Sequence, residues 1–245
     1  FKTPQSERIA MEKLFDYLSV HGLTRVGWIS LNNAFGDSGL EEYERLAEEA
    51  GITTVGSERF NDSDTDVTPQ LSSLKSKSPE AVVVWAAPPA GSILVKNYHQ
   101  LGIQAPLLMS HGMISQALFD QAGEAAEGVI LPGSKLLVAE SLDDSDPQKA
   151  LLLEFAAEYE AAYGERPVPF AGYGYDAVLL LAEAVQKAGT DPEQIRDALE
   201  NQTRGVVGAT GVFTFSPEDH NGLDKDSLVL LQVKGGNWTL YTPAK

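Results

Sequence analysis

The chain has 245 residues, 43% of them hydrophobic, enough to bury one large core or two modest ones. Eighteen basic against thirty-five acidic side chains leave a formal charge of −17, which repels phosphate backbones and anionic lipid headgroups, so no nucleic-acid partner is expected. Cysteine is absent, which removes disulfides, thiolate metal ligands and thiol catalysis together.

Ser6 stands at a helix cap, ahead of Ile9, Leu14, Phe15 and Leu18 at helical spacing, with Gly22 as terminator. A strand is predicted over 26–31. Leu40, Tyr43, Leu46 and Ala50 then mark a helix closing at Gly51, and residues 52–55 read as a short strand. The pattern repeats with helices near 67–77, 91–101 and 115–121 alternating with strands at 81–87, 106–110 and 128–133. Strands this uniformly apolar are buried on both faces, as in a parallel sheet covered by crossover helices. Residues 1–133 are therefore expected to form an α/β, doubly wound parallel sheet.

The rhythm changes at the charged stretch Ser141–Ala150. Three helices are predicted beyond it, near 147–163, 173–188 and 192–201, the last opened by Asp191, Pro192 and Gln194. The tail reads as β at 211–216, 228–233 and 238–242, with Gly235-Gly236 as a hairpin turn. These helices have few strands to lie on, so a sheet is missing from this half.

Several motifs fall short of chemistry. "GYGYDA" at 172–177 has the glycine spacing of a dinucleotide fingerprint, but Pro167 and Pro169 spoil the strand that must deliver it. "DSDTD" at 62–66 spaces carboxylates like a calcium loop, yet Val67 stands where glycine is required and Ser73 where the bidentate glutamate belongs. It reads better as a helix lead-in capped by Asp66 or Thr68. The four histidines show no metal-ligand spacing, and no nucleophile elbow or Walker loop occurs. No catalytic role, metal or cofactor is expected. What remains are three loops at the carboxyl ends of strands, where open α/β sheets hold ligands: "NNAFGDSG" at 32–39, "APPAGS" at 87–92 and "SHGMIS" at 110–115.

The chain as a whole resembles the type I periplasmic binding proteins, in particular the branched-chain amino acid (Leu/Ile/Val) receptors of ABC importers. The likeness is carried in order by "FKTPQS", "NNAFGDSGLEEY", "DTDVTPQLSSLKSKSPEAVVVW", "QLGIQAPLLMSHG", "GEAAEGVILP", "FAAEYEAAYGERPVPFAGYGYDAVLLLAEAV" and "GATGVFTFSPEDHNGL". The resemblance implies two α/β lobes joined by three crossovers, closing on a small solute for delivery to a membrane ABC permease. On that plan residues 1–133 are the second lobe, 134–225 an incomplete first lobe, and 226–245 strands returning to the second lobe. The first lobe's sheet, and a signal peptide for a periplasmic or extracellular protein, are expected upstream of Phe1.

By position the resemblance places Phe35 where amino-acid-binding members often carry tyrosine, with Asn33 beside it. Ala87, Pro88 and Pro89 fall near a further contact, and His111 near an acidic residue that pairs with the solute's ammonium. Histidine there weakens the case for an α-amino acid and favours a solute with a carboxylate or a neutral acceptor, since imidazole donates and, when charged, attracts an anion. The expected solute is a branched-chain amino acid or, equally, another small carboxylated or aromatic compound. Tyr173 borders the crossover. The alternative is a ligand-sensing domain of the same fold in a receptor or regulator. Without its sheet, the 147–188 region is expected to expose Leu151, Leu152, Phe155, Leu179 and Leu180 and to drive self-association.

Overall fold

A computed structural model describes residues 1–243. In chain order it contains α1 (Glu7–Val20), β1 (Arg25–Leu31), α2 (Ala34–Ala50), β2 (Thr53–Phe60), α3 (Thr68–Ser76), β3 (Ala81–Trp85), α4 (Ala90–Gln100), β4 (Leu107–Met109), α5 (Gln116–Ala122) and β5 (Ile130–Ser134). There follow α6 (Lys149–Tyr163), α7 (Pro169–Ala188), α8 (Pro192–Gln202), β6 (Val206–Val207), β7 (Val212–Phe213), β8 (Leu228–Lys234) and β9 (Asn237–Leu240). The chain forms two compact units: residues 1–9 with 134–229, and residues 10–133 with 230–245.

The second unit is a mixed α/β layer on a seven-stranded sheet in the order β2-β1-β3-β4-β5-β8-β9. Pairing is parallel from β2 through β5, and β8–β9 closes as an antiparallel hairpin over Gly235 and Gly236, both at positive φ. β1 is buried at every position after Arg25 and β3 throughout, as expected of strands in a parallel sheet covered on both faces. β2 runs on through Ser57, Glu58 and Arg59, beyond the short strand expected at 52–55. It lies at the sheet edge, where backbone pairing to β1 holds polar side chains that a central strand would exclude. The α2 helix buries Gly36, Gly39, Tyr43 and Ala47 and turns Glu41, Glu44 and Glu48 to solvent.

The first unit is built on α6, α7 and α8, with a single two-stranded sheet, β6–β7, among its described residues. Residues 1–9, assigned to the other lobe by the sequence pattern, group here because long-range hydrogen bonds hold them. Lys2 N donates to the His220 carbonyl at 3.0 Å, Gln5 Nε2 to the Thr210 carbonyl at 2.6 Å, and Asn221 Nδ2 to the Pro4 carbonyl at 2.9 Å. α7 starts at Pro169, four residues before the expected 173, because proline at the first helical turn has no N–H to waste. The expected strand at 211–216 shrinks to Val212–Phe213; Phe213 and Phe215 are buried in the alternation that mimics a longer strand. The exposed apolar register also differs. Leu152 and Leu180 are buried, Leu151, Phe155 and Leu179 are half-buried, and Leu153, Val178 and Leu181 are exposed instead. Leu152 is covered because it packs into a cluster with Leu136, Ala139, Leu142 and Ala209.

Candidate functional site

The loop at 32–39 is shaped by backbone crowding. A Cβ on Gly36 would fall 1.8 Å from the Leu31 carbonyl oxygen, so only glycine lets α2 start directly on the end of β1. A Cβ on Gly39 would fall 2.3 Å from the Trp85 ring, so the second glycine makes room for the indole. The Asn33 carbonyl Oδ1 accepts from Gly36 N at 3.0 Å as the α2 cap, while its Nδ2 donates to Asp62 Oδ2 at 3.0 Å. Both ends of that amide are engaged within the protein, so Asn33 sets the loop's geometry. Asp37 pairs with Arg59.

Phe35, in the first turn of α2, is half-buried and stands 5.7 Å from the buried Trp85 ring and 6.1 Å, edge-on, from His111. Trp85 and His111 are 5.6 Å apart at 63°. Three separate strand-to-helix connections thus bring aromatic rings together at the carboxyl end of the parallel strands. Trp85 ends β3; His111 opens a 3₁₀ turn after β4, held by Ser110 Oγ, which donates to the Ala86 carbonyl at 2.5 Å. Gly112 lets that turn close on Phe35, since a Cβ there would lie 3.1 Å from Phe35 Cζ. Ala87 and Pro88 are half-buried and Pro89 exposed at the start of α4, and the Pro88–Pro89 bond is cis.

Tyr173 belongs to the first unit. Its carbonyl accepts from Thr3 Oγ1 at 3.0 Å, its hydroxyl donates to Gln5 Oε1 at 3.4 Å, and burial pushes that phenol above its ordinary range. One turn on, Asp176 is fully buried and accepts from Ala209 N at 2.6 Å, Thr210 N at 2.8 Å and the Thr210 hydroxyl. Burial raises its pKa; the three donors oppose that rise. "GYGYDA" therefore lies within a helix, with Gly172 and Asp176 packed against the 209–210 turn, and no strand feeds it. Sequence reasoning missed Asp176 as a structural anchor and Trp85 as the centre of the aromatic group. The signal for the first was an acid among apolar residues at helical spacing.

Among the described residues no group of three or more His, Asp or Glu is placed to hold a metal, and no helix is long and apolar enough to cross a membrane.

The fold has known counterparts. A structure from Rhodopseudomonas palustris (strain CGA009) superposes with a TM-score of 0.88 at 29% identity, covering 98% of this chain and 70% of that one. An extracellular ligand-binding receptor from R. palustris HaA2 gives a TM-score of 0.85 at 28% identity, covering 98% and 70%. The leucine-, isoleucine-, valine-, threonine- and alanine-binding protein of Pseudomonas aeruginosa is 26% identical over 69% of this chain and 43% of its own length. The Leu/Ile/Val-binding protein BraC3 of Rhizobium johnstonii is 24% identical over 78% and 50%. The chain thus spans about half the length of these curated relatives. The family model described as "Periplasmic binding protein" matches residues 1–237, and the chain belongs to that family.

Proposed function

We propose that this chain is the solute-binding component of an ABC importer, working in the periplasm or outside the cell and handing a small solute to a membrane permease. The observation that carries the reading is the convergence of Phe35, Trp85 and His111 at the carboxyl edge of the second unit's sheet, in a chain matched by the family over residues 1–237. The relatives that bind leucine, isoleucine and valine support a small amino acid or similar carboxylated compound as the solute. Phe35 offers an apolar surface, the loop at Ala87, Pro88 and Pro89 a second wall, and His111 a polar contact suited to a carboxylate or a neutral acceptor. Asn33 holds Phe35 in place through the α2 cap, and Tyr173 anchors the amino-terminal segment.

A thermal-shift screen of branched-chain amino acids and aromatic carboxylic acids tests this reading. A cognate solute raises the unfolding midpoint of the chain by mass action. Phe35→Ala should cut that solute's affinity at least about tenfold, the cost of losing one well-packed aromatic contact. An unchanged affinity would take Phe35 out of the site.

A further inference from the structure

Asn221 is the one asparagine of the chain followed by glycine, the pair in which an asparagine amide converts most readily to acid, because no side chain shields the next backbone nitrogen. Neither residue is free to change. A Cβ on Gly222, whose φ is +59°, would fall 2.6 Å from the Phe215 ring and 2.7 Å from the Thr214 carbonyl oxygen, so the fold requires glycine there. Residues 1–5 require the amide: Asn221 Nδ2 donates to the Pro4 carbonyl at 2.9 Å and to the Lys2 carbonyl at 3.3 Å. A carboxylate in its place has no proton to donate and would face both carbonyl oxygens.

The same contacts hold the conversion off. Gly222 N, the nucleophile, is buried and donates to Asp219 Oδ1 at 3.0 Å; that oxygen also accepts from Asn221 N at 2.9 Å. A carboxylate beside the N–H opposes loss of its proton. The leaving group is tied as well, since Nδ2 cannot depart without giving up its bonds to Lys2 and Pro4. Residues 1–5 are seated by further bonds, from Gln5 Nε2 to the Thr210 carbonyl at 2.6 Å, Thr3 Oγ1 to the Tyr173 carbonyl at 3.0 Å and Lys2 N to the His220 carbonyl at 3.0 Å. The Phe1 ring stacks on His220 at 4.2 Å.

We propose that Asn221 is a deamidation site gated by residues 1–5: seated, they keep the amide intact; released, they expose it to a conversion that bars their return. In the reaction Gly222 N gives its proton to solvent hydroxide and attacks Asn221 Cγ. The Cγ–Nδ2 bond breaks, and the amide nitrogen takes a proton from water and leaves as ammonia. Water then opens the cyclic imide, at Cγ to give aspartate or at the main-chain carbonyl to give isoaspartate. The net exchange is water consumed and ammonia released.

Trypsin frees residues 205–225 as a single peptide in which Asn221 is the sole side-chain amide, so a mass gain there reports this residue alone. In mildly alkaline buffer the folded 245-residue chain should convert at least about tenfold more slowly than the chain unfolded in guanidinium, because conversion of the folded chain requires local opening. Gln5→Ala removes one bond of the seat without touching residues 219–222. It should speed conversion of the folded chain about fivefold, the weight of one lost hydrogen bond. Asn221→Asp, one of the two products, should raise amide exchange at Lys2, Thr3 and Gln5 at least about tenfold while β3 stays protected. Equal rates in the folded and unfolded chain, a Gln5→Ala rate equal to wild type, or unchanged exchange at residues 2–5 in Asn221→Asp overturns the proposal. Where either variant fails to fold, the wild-type comparison decides together with Thr3→Val, which removes the bond to Tyr173 and should also speed conversion; a rate unchanged in Thr3→Val overturns the proposal in the same way.

Discussion

The two units of this chain use similar helices in unlike surroundings. In the second unit α2 shows one buried face and one acidic face, and its glycines admit the end of β1 and the ring of Trp85. In the first unit α7 buries Asp176 and Leu180 on one side and leaves Phe170 and Val178 open on the other. A sheet that is present dictates which residues are small and which are charged. The difference teaches that an amphipathic pattern is informative about a neighbour even where only one side of it is filled.

The comparison can be broken most forcefully at Trp85. It is fully buried between Phe35, Trp28 and His111, so Trp85→Ala should cost about 3 to 5 kcal/mol of unfolding free energy, read by urea denaturation. A loss below 1 kcal/mol, roughly the effect of a surface change, would mean that this unit is not organised around that ring. In the first unit the corresponding test is Asp176→Ala, which strands the Ala209 and Thr210 amides. It should cost about 2 to 3 kcal/mol, with amide exchange accelerated at 209–210 and unchanged in β3. Exchange that quickened equally in both units would show that they do not unfold separately.

The smallest effect concerns the start of β1. Glu80 accepts from Thr24 N at 2.8 Å and Arg25 N at 3.0 Å, which holds its carboxyl below the usual glutamate range. Its contribution is therefore present above the unfolded value of about 4.3 and is lost as pH falls through the lower folded value. Glu80→Gln should be less stable than wild type at neutral pH, and the two should converge in acid. A gap that widened in acid would contradict the assignment.

Much of the second unit was legible because its strands are unmixed apolar runs between good helix signals, as at Ala81–Trp85. The edge strand β2 was legible only at its start, since backbone pairing alone carries Ser57, Glu58 and Arg59. In the first unit local pattern misled where long-range contacts decide. Residues 1–9 are assigned by bonds to Thr210, His220 and Asn221, more than two hundred positions away in the chain. Within α6 and α7, helical spacing announces apolar faces but not their rotation, so Leu152 and Leu180 turned out buried and Val178 open. At the site, loop position singled out Phe35 and His111, whereas the bond from Asn33 to Asp62 depends on the turn that follows β2 and could not be seen from spacing.

Both units bear on one measurement, isothermal calorimetry of a solute found by thermal shift, titrated into wild type, Phe35→Ala and Val178→Asp. Binding through the second unit's aromatic edge predicts that Phe35→Ala weakens affinity at least about tenfold while Val178→Asp leaves it within about twofold. Affinity that survives Phe35→Ala and collapses with Val178→Asp would place the solute on the first unit and contradict the account.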